Sequence, residues 1–314
     1  MNKKIIYALI CVTLLGTVIG CKSQKIESFK NDKFLEMKND SLSIKLDLTR
    51  GGAIAFISKS EEKRNLVNIH DEGRYIQQSY YAGKPIDRRD EGQSPRWSPW
   101  TWNPIQVGDA YFNRAQILKS QIKGNTAYTK CIPMLWDMNN KPAEAIMEQW
   151  TVLDGNVIKV KNRLTCQRTD SIYGEGFKRS QELPAVYPIS SLSELYSYVG
   201  SEPFTNGPMK KLKVKFLQDG FWGRYQNNEI TESWMAFVDQ NNWGIAVYSP
   251  STKSFLAGMS GRPGFEAESG STSYIAPVKK VALYKNSVFE YEYYIVIGQL
   301  EKMREIIYGL RSKN

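Results

Sequence analysis

Apolar and polar residues alternate with period two in segment after segment of this chain, and that pattern commits it to strands with one buried face. Leu42, Ile44, Leu46 and Leu48 alternate before Gly51-Gly52 turns the chain into Ala53 to Ile57. Ile146, Glu148, Trp150 and Val152 run up to Asp154-Gly155-Asn156, after which Ile158, Val160 and Leu164 return, the layout of a hairpin. Leu212, Val214 and Phe216 predict another strand. Trp234, Ala236 and Val238 predict a hairpin with Trp243, Ile245 and Val247, and Val281 and Leu283 predict a third pair with Phe289 to Ile297. Helical spacing occurs once, at Leu300, Met303, Ile306, Ile307 and Leu310, predicting one amphipathic C-terminal α-helix that caps a sheet. Many antiparallel strands with one terminal helix imply a mainly β protein, a large two-sheet sandwich. With no interior linker or repeat, residues 41–314 are expected to form a single domain.

The N-terminus has a different grammar. Lys3 and Lys4 precede an apolar run from Ile5 to Ile19, too short to span a bilayer and laid out as a secretory signal. It ends Val18-Ile19-Gly20-Cys21, which resembles a bacterial lipobox and implies lipidation of Cys21 after removal of the signal, residues 1–21. Acyl chains would then hold the protein at a membrane of the cell envelope, on the periplasmic or surface face, with the polar segment 22–40 as a tether. Cys11 leaves with the signal, so Cys131 and Cys166 remain, either paired or as two separate buried thiols. Neither cysteine neighbours a histidine, and one His in the chain makes a zinc site improbable; no metal or cofactor is expected. The formal charge of +10 falls to +8 without Lys3 and Lys4, favouring anionic partners. Nucleic acid is the poorest of these, because Lys and Arg are spread along an exported chain rather than gathered into a tail or helix.

Residues 70–114 stand apart from the strand pattern. They hold His70 and three of the eight tryptophans in the run HDEGRYIQQSYY, a charged segment, and WSPWTWNPIQVGD. Arg74, Gln77, Asn103, Gln106 and Asp109 lie among Tyr80, Tyr81, Trp97, Trp100 and Trp102, a mixture costly to bury without partners. A sugar asks for that mixture. Its CH faces stack on rings, and its hydroxyls need amides, carboxylates and a guanidinium. Two further carboxylates lie near aromatics: Glu182 in QELPAVYP with Tyr187, and Glu232 beside Trp234. The segment 258–274 predicts a mobile rim loop from which Arg262 could reach a ligand. No phosphate-cradling glycine loop and no Gly-x-Ser-x-Gly elbow occur.

GGAIAFIS, RNLVNIHDEGRYIQQSYYAG, QELPAVYP and ESWMAFVDQNNWGIAVYSP, in that order, resemble the galactose mutarotase-like β-supersandwich group, which includes aldose epimerases and several glycan-active domains. The resemblance covers most of residues 40–298 and concerns fold and segment order, without matching a named activity. It implies a concave sheet face that holds saccharide. Epimerases pair a Glu base with histidines, and the sole His70 departs from that pattern.

Three expectations follow. A glycoside hydrolase would use a carboxyl pair, Glu182 and Glu232, with Asp109 as a third candidate. A lyase acting on a uronate glycan would take His70, Tyr80 or Tyr81 as base and Arg74 as neutraliser. A non-catalytic glycan-binding lipoprotein would need the platform of Trp97, Trp100 and Trp102 but no convergent acid and base. All three place an oligo- or polysaccharide, anionic in the second case, in one cleft shared by the residue 70–114 block, Glu182 and Glu232.

Overall fold

The computed structural model describes residues 26–312 apart from 219, 227 and 228. The signal segment and Cys21 lie outside the described residues. Strands from the length of the chain build two large sheets with antiparallel pairings. The nine-stranded sheet runs, edge to edge, through Lys210–Leu212, Glu194–Ser197, Trp234–Val238, Trp243–Tyr248, Val288–Gln299, Val157–Cys166, Ala145–Asp154, Thr126–Ile132 and Gln116–Lys123. The seven-stranded sheet runs through Met134–Leu135, Pro104–Ile105, Gln77–Ser79, Lys178–Ala185, Thr272–Ala282, Phe255–Ser260 and Gly223–Tyr225. A four-stranded meander from Glu27–Lys30 to Ala53–Lys59 and the pair Ala82–Ile86 with Trp100–Trp102 complete it.

Alternation places the core between the sheets. In Val157–Cys166, Ile158, Val160 and Leu164 are buried, and from the opposite sheet Leu183 and Ile275 meet them in one continuous apolar cluster. Tyr80 is fully buried there, its ring edge-on to Phe289 and Tyr291 of the nine-stranded sheet at 6.0 and 6.3 Å. One end of the outer face of the nine-stranded sheet is apolar as well: Trp234, Ala236, Tyr248 and Val296 pack against Leu300, Met303 and Ile307 of the helix Leu300–Arg311. The predicted helix therefore covers the sheet as its spacing requires.

Both predicted hairpins form, with Asp154 opposite Val157 in one and Trp234 opposite Tyr248 in the other. The third predicted pair does not. Thr272–Ala282 pairs with Lys178–Ala185, whereas Val288–Gln299 lies in the opposite sheet, so residues 283–287 carry the chain from sheet to sheet. Alternation sets which face of a strand is buried but not its partner, and here two adjacent alternating runs choose different sheets. The strand expected at Leu212 to Phe216 is confined to Lys210–Leu212. The expected tether is also corrected. Phe34–Lys38 pairs with Leu42–Asp47 and buries Leu35 and Met37 completely, and Glu27–Lys30 pairs outside it with its side chains exposed. Cys131 and Cys166 are separate buried thiols, and burial pushes the Cys131 thiol up to about 12.

Buried amides join the sheets. Gln106 Oε1 accepts from the Gln78 backbone N–H at 2.9 Å, and Gln106 Nε2 donates to Gly51 O at 2.9 Å and Gln149 Oε1 at 3.1 Å. Gln149 Nε2 continues to Thr151 Oγ1 at 3.0 Å, and Tyr80 donates to Gln78 Oε1 at 2.8 Å. Gly51 takes a φ of +64°, and a Cβ there would lie 2.2 Å from Gln106 O, so the turn requires glycine twice over.

Candidate functional site

Period two divides the short strands of the seven-stranded sheet into an inner and an outer set. Gln78 turns inward to the amide network, so Gln77 and Ser79 turn outward; Gln181 is buried inside, so Glu182 turns outward, with Ser79 as its cross-strand partner. Tyr274 projects from the next strand, and its hydroxyl donates to Glu182 Oε1 at 2.7 Å. Gln77, Ser79 and Glu182 floor a cavity of about 270 Å³, with Tyr274 buried behind Glu182.

Aromatic side chains wall it. Trp97 and Trp100 approach edge-on at 5.1 Å, Trp97 and Trp136 at 5.9 Å, and Tyr81 meets Trp100 at 6.4 Å. Across the cavity Trp222 stacks on Tyr274 at 4.3 Å with 13° between the planes, and Tyr187 leans on Tyr274 at 4.8 Å. Asn103 is fixed by accepting from Trp100 Nε1 at 3.0 Å and donating to Tyr80 O at 2.7 Å. Gln77 donates to Gly73 O at 2.7 Å and accepts from Val107 N at 3.2 Å. Rings, amides, a hydroxyl and one carboxyl thus face a common space.

Burial dominates the electrostatics of the cavity. Burial pushes the Glu182 carboxyl above the ordinary carboxylate range, and the hydrogen bond from Tyr274 only partly opposes this. Burial, reinforced by the nearby Glu182 charge, raises the Tyr81, Tyr187 and Tyr274 hydroxyls, which remain protonated at neutral pH. Glu182 is the one ionisable acid or base with an ordinary pKa below 8 among the described residues lining this cavity.

Of the sequence-predicted residues, Gln77, Tyr81, Trp97, Trp100, Asn103, Glu182 and Tyr187 come together here. The others serve elsewhere. Glu232 is fully buried under the C-terminal helix, where its carboxylate accepts from Phe204 N at 2.6 Å, Trp234 Nε1 at 2.5 Å and Tyr308 Oη at 2.8 Å. Since Trp234 faces the helix side of the nine-stranded sheet, both sheets stand between Glu232 and Glu182, and they cannot flank one bond. Tyr80 and Trp102 are core residues; Trp102 donates to Glu144 Oε2 at 3.2 Å beneath the Arg168 guanidinium. Gln106 belongs to the inner amide network. Asp109 staples a turn, accepting from the N–H groups of Tyr111, Asn113 and Asn140 at 2.8–2.9 Å. His70 is exposed and contacts Glu268 O through Nδ1 at 3.1 Å, while Arg74 pairs with Asp71 at 2.9 Å and donates to Gly270 O at 3.0 Å. Together with Asn68, which donates to Ser269 O and Ser271 O, they pin the segment 261–271, so the expected mobile loop 258–274 is shorter and anchored. Arg262 is exposed within it.

Ser79, Trp136, Trp222 and Tyr274 were not singled out from the sequence. Trp136 and Trp222 carried a usable signal, each being a tryptophan in a turn-rich segment, LWDMNN and DGFWGR. Tyr274 carried none, since an aromatic in an alternating strand reads as core.

No family model matches the chain, and no curated protein matches it in sequence. Among solved structures it is similar to a galactose mutarotase-like protein from Lactobacillus casei ATCC 334, at 12% identity and TM-score 0.46 over 87% of this chain and 100% of that one. It is similar to another from Clostridium acetobutylicum at 9% identity and TM-score 0.47, over 88% and 99%. A 4-alpha-glucanotransferase from Thermococcus litoralis matches at 11% identity and TM-score 0.47 over 88% of this chain but 40% of that one. The likeness is one of chain path, and what the cleft can do is read from its own residues.

Proposed function

We propose that this protein is carbohydrate-active, taking a sugar ring into the cavity above Glu182 and using that carboxyl as its proton-transfer group. The observation that carries the reading is a partly buried carboxyl of raised pKa inside an aromatic-walled cavity. Rings suit the CH faces of a sugar, Gln77 and Asn103 suit its hydroxyls, and a carboxyl whose pKa burial raises is the better placed to donate a proton to a glycosidic or ring oxygen. Lipid on Cys21 would hold such a cleft at a membrane surface.

The pairing of Glu182 with Glu232 is not supported, so hydrolysis in this cleft would use Glu182 as acid with water activated by another group. Elimination from a uronate finds less support: His70 and Tyr80 lie elsewhere, Arg74 is tied to Asp71, and the raised tyrosines are poor bases. The presence of one carboxyl rather than two favours a second reading, capture of glycan without cleavage.

The test is a digestion screen of the purified protein against neutral and uronate-rich polysaccharides, following reducing ends, unsaturated product and tryptophan fluorescence, beside Glu182→Gln. Expected is release of reducing ends that falls about 100-fold or more in the variant while binding persists. Activity unchanged in Glu182→Gln would refute the assignment, and binding with no product in either protein would favour capture.

A further inference from the structure

The cleft does not end at Trp97 and Trp136. On the other side of that pair lies a second cavity of about 360 Å³, sharing Gly73, Trp97 and Trp136 as a common wall with the first. Its outer rim is aromatic and exposed: Tyr111 is 41% and Phe112 70% accessible. Phe112 holds a φ of +67°, a left-handed backbone that costs a bulky residue energy which no burial of its ring repays. The Asp109 turn enforces it through the Tyr111 and Asn113 N–H groups, and Arg50 donates to Phe112 O at 3.3 Å. A ring held out to solvent at such a cost fits a platform for a ligand.

The charges of this second cavity are mostly spoken for. Arg50 pairs with Glu72, Asp71 with Arg74, and the Asp109 oxygens are filled by turn donors. Arg96 is exposed, with its guanidinium 5.4 Å from the Trp97 ring centroid, and no ion pair joins it among the described residues. A guanidinium laid against an indole presents its remaining N–H groups as a fork suited to a carboxylate or sulfate.

We propose that the second cavity is a subsite for a neighbouring sugar of the same glycan, one bearing an anionic group that Arg96 recognises. The ligand is then an acidic oligosaccharide of at least two sugars lying across the Trp97–Trp136 ridge. This rests on the saccharide reading of the Glu182 cavity and adds length and charge to it.

The experiment is calorimetric titration of the full chain with acidic tetrasaccharides cut from pectate, alginate, hyaluronan and carrageenan. Each is paired with its acidic monosaccharide, with cellotetraose and xylotetraose as neutral probes. Expected is an acidic tetrasaccharide that binds about ten-fold or more tighter than its monosaccharide. Arg96→Gln should remove about ten-fold of that affinity, as loss of a charge-assisted hydrogen bond predicts, and leave monosaccharide binding unchanged. Preference for uronate or for sulfate probes identifies the anion. Equal affinity for mono- and tetrasaccharides, or for neutral and acidic tetramers with Arg96→Gln behaving as wild type, would overturn the subsite while leaving the Glu182 reading in place. Absence of binding to every probe would remove both.

Discussion

Gln106→Ala tests the claim that buried amides, and not apolar packing alone, hold the strand that floors the cleft. The side chain is 1% exposed. Truncation strips the Gln78 N–H of its acceptor and takes a donor from both Gly51 O and Gln149 Oε1. A buried polar group left without a partner costs about 1–3 kcal/mol, and three groups that can share an entering water give a net loss of about 3–6 kcal/mol. Against a total of about 5–15 kcal/mol for a folded domain, this is a large fraction. Urea denaturation followed by tryptophan fluorescence should show a lower midpoint at unchanged slope. Gln121→Ala on an exposed edge strand is the control, within about 0.5 kcal/mol of wild type. A double-mutant cycle with Gln149→Ala should show coupling of about 0.5–3 kcal/mol. A loss below about 1 kcal/mol for Gln106→Ala, or strict additivity with Gln149→Ala, would refute the amide staple. Because Gln78 lies between Gln77 and Ser79, the variant should also weaken saccharide binding before it unfolds.

Two further outcomes are expected. Burial raises the Glu182 carboxyl in the folded state, so between its unfolded and folded pKa the native protein binds the extra proton and stability falls as pH rises through that window. Glu182→Gln should therefore raise the melting temperature above the window and leave it unchanged below the unfolded pKa, and a variant equally destabilised at both pH values would contradict the desolvation argument. Leu35→Ala should cost about 2–5 kcal/mol in urea because the side chain is fully buried, whereas Phe29→Ala, at 60% exposure, should stay within about 0.5 kcal/mol; a Leu35 cost as small as that of Phe29 would return residues 34–38 to the tether.

Strand existence was legible wherever alternation was long, as at 145–166, 234–248 and 288–299, and so was the terminal helix. Pairing was not, because period two records a strand's faces and nothing about its neighbour, which is how Val281 came to be joined with Phe289. The site was half legible for a related reason. A glutamine between tyrosines looks misplaced in a core, so Gln77 and Gln106 read as one ligand-facing set. In the fold, Gln77 faces the cleft while Gln78 and Gln106 satisfy backbone and amide partners between the sheets. Burial with partners and exposure to a ligand leave the same trace in composition. Glu232 misled in the same way, since an acid beside a tryptophan can as well be its buried hydrogen-bond acceptor.

The position of the site follows from how unequally the two sheets are covered. Around Trp234–Val238, Trp243–Tyr248 and Val288–Gln299 the nine-stranded sheet spends both faces on packing, one against its partner sheet and the other under the C-terminal helix. A carboxylate on that outer side, Glu232, is consequently enclosed and saturated with donors. The seven-stranded sheet has no such helix among the described residues, and its outer face is covered instead by rings delivered from loops and short strands: Trp97 and Trp100 from one side, Trp136 from another, Trp222 from a third. Rings set edge to face leave gaps that a helix would fill, and the gaps are the two cavities. Glu182 lies under such a cover, buried enough for its pKa to rise and open enough to meet a ligand. Its raised pKa and its accessibility thus have one cause, an aromatic cover that desolvates without sealing.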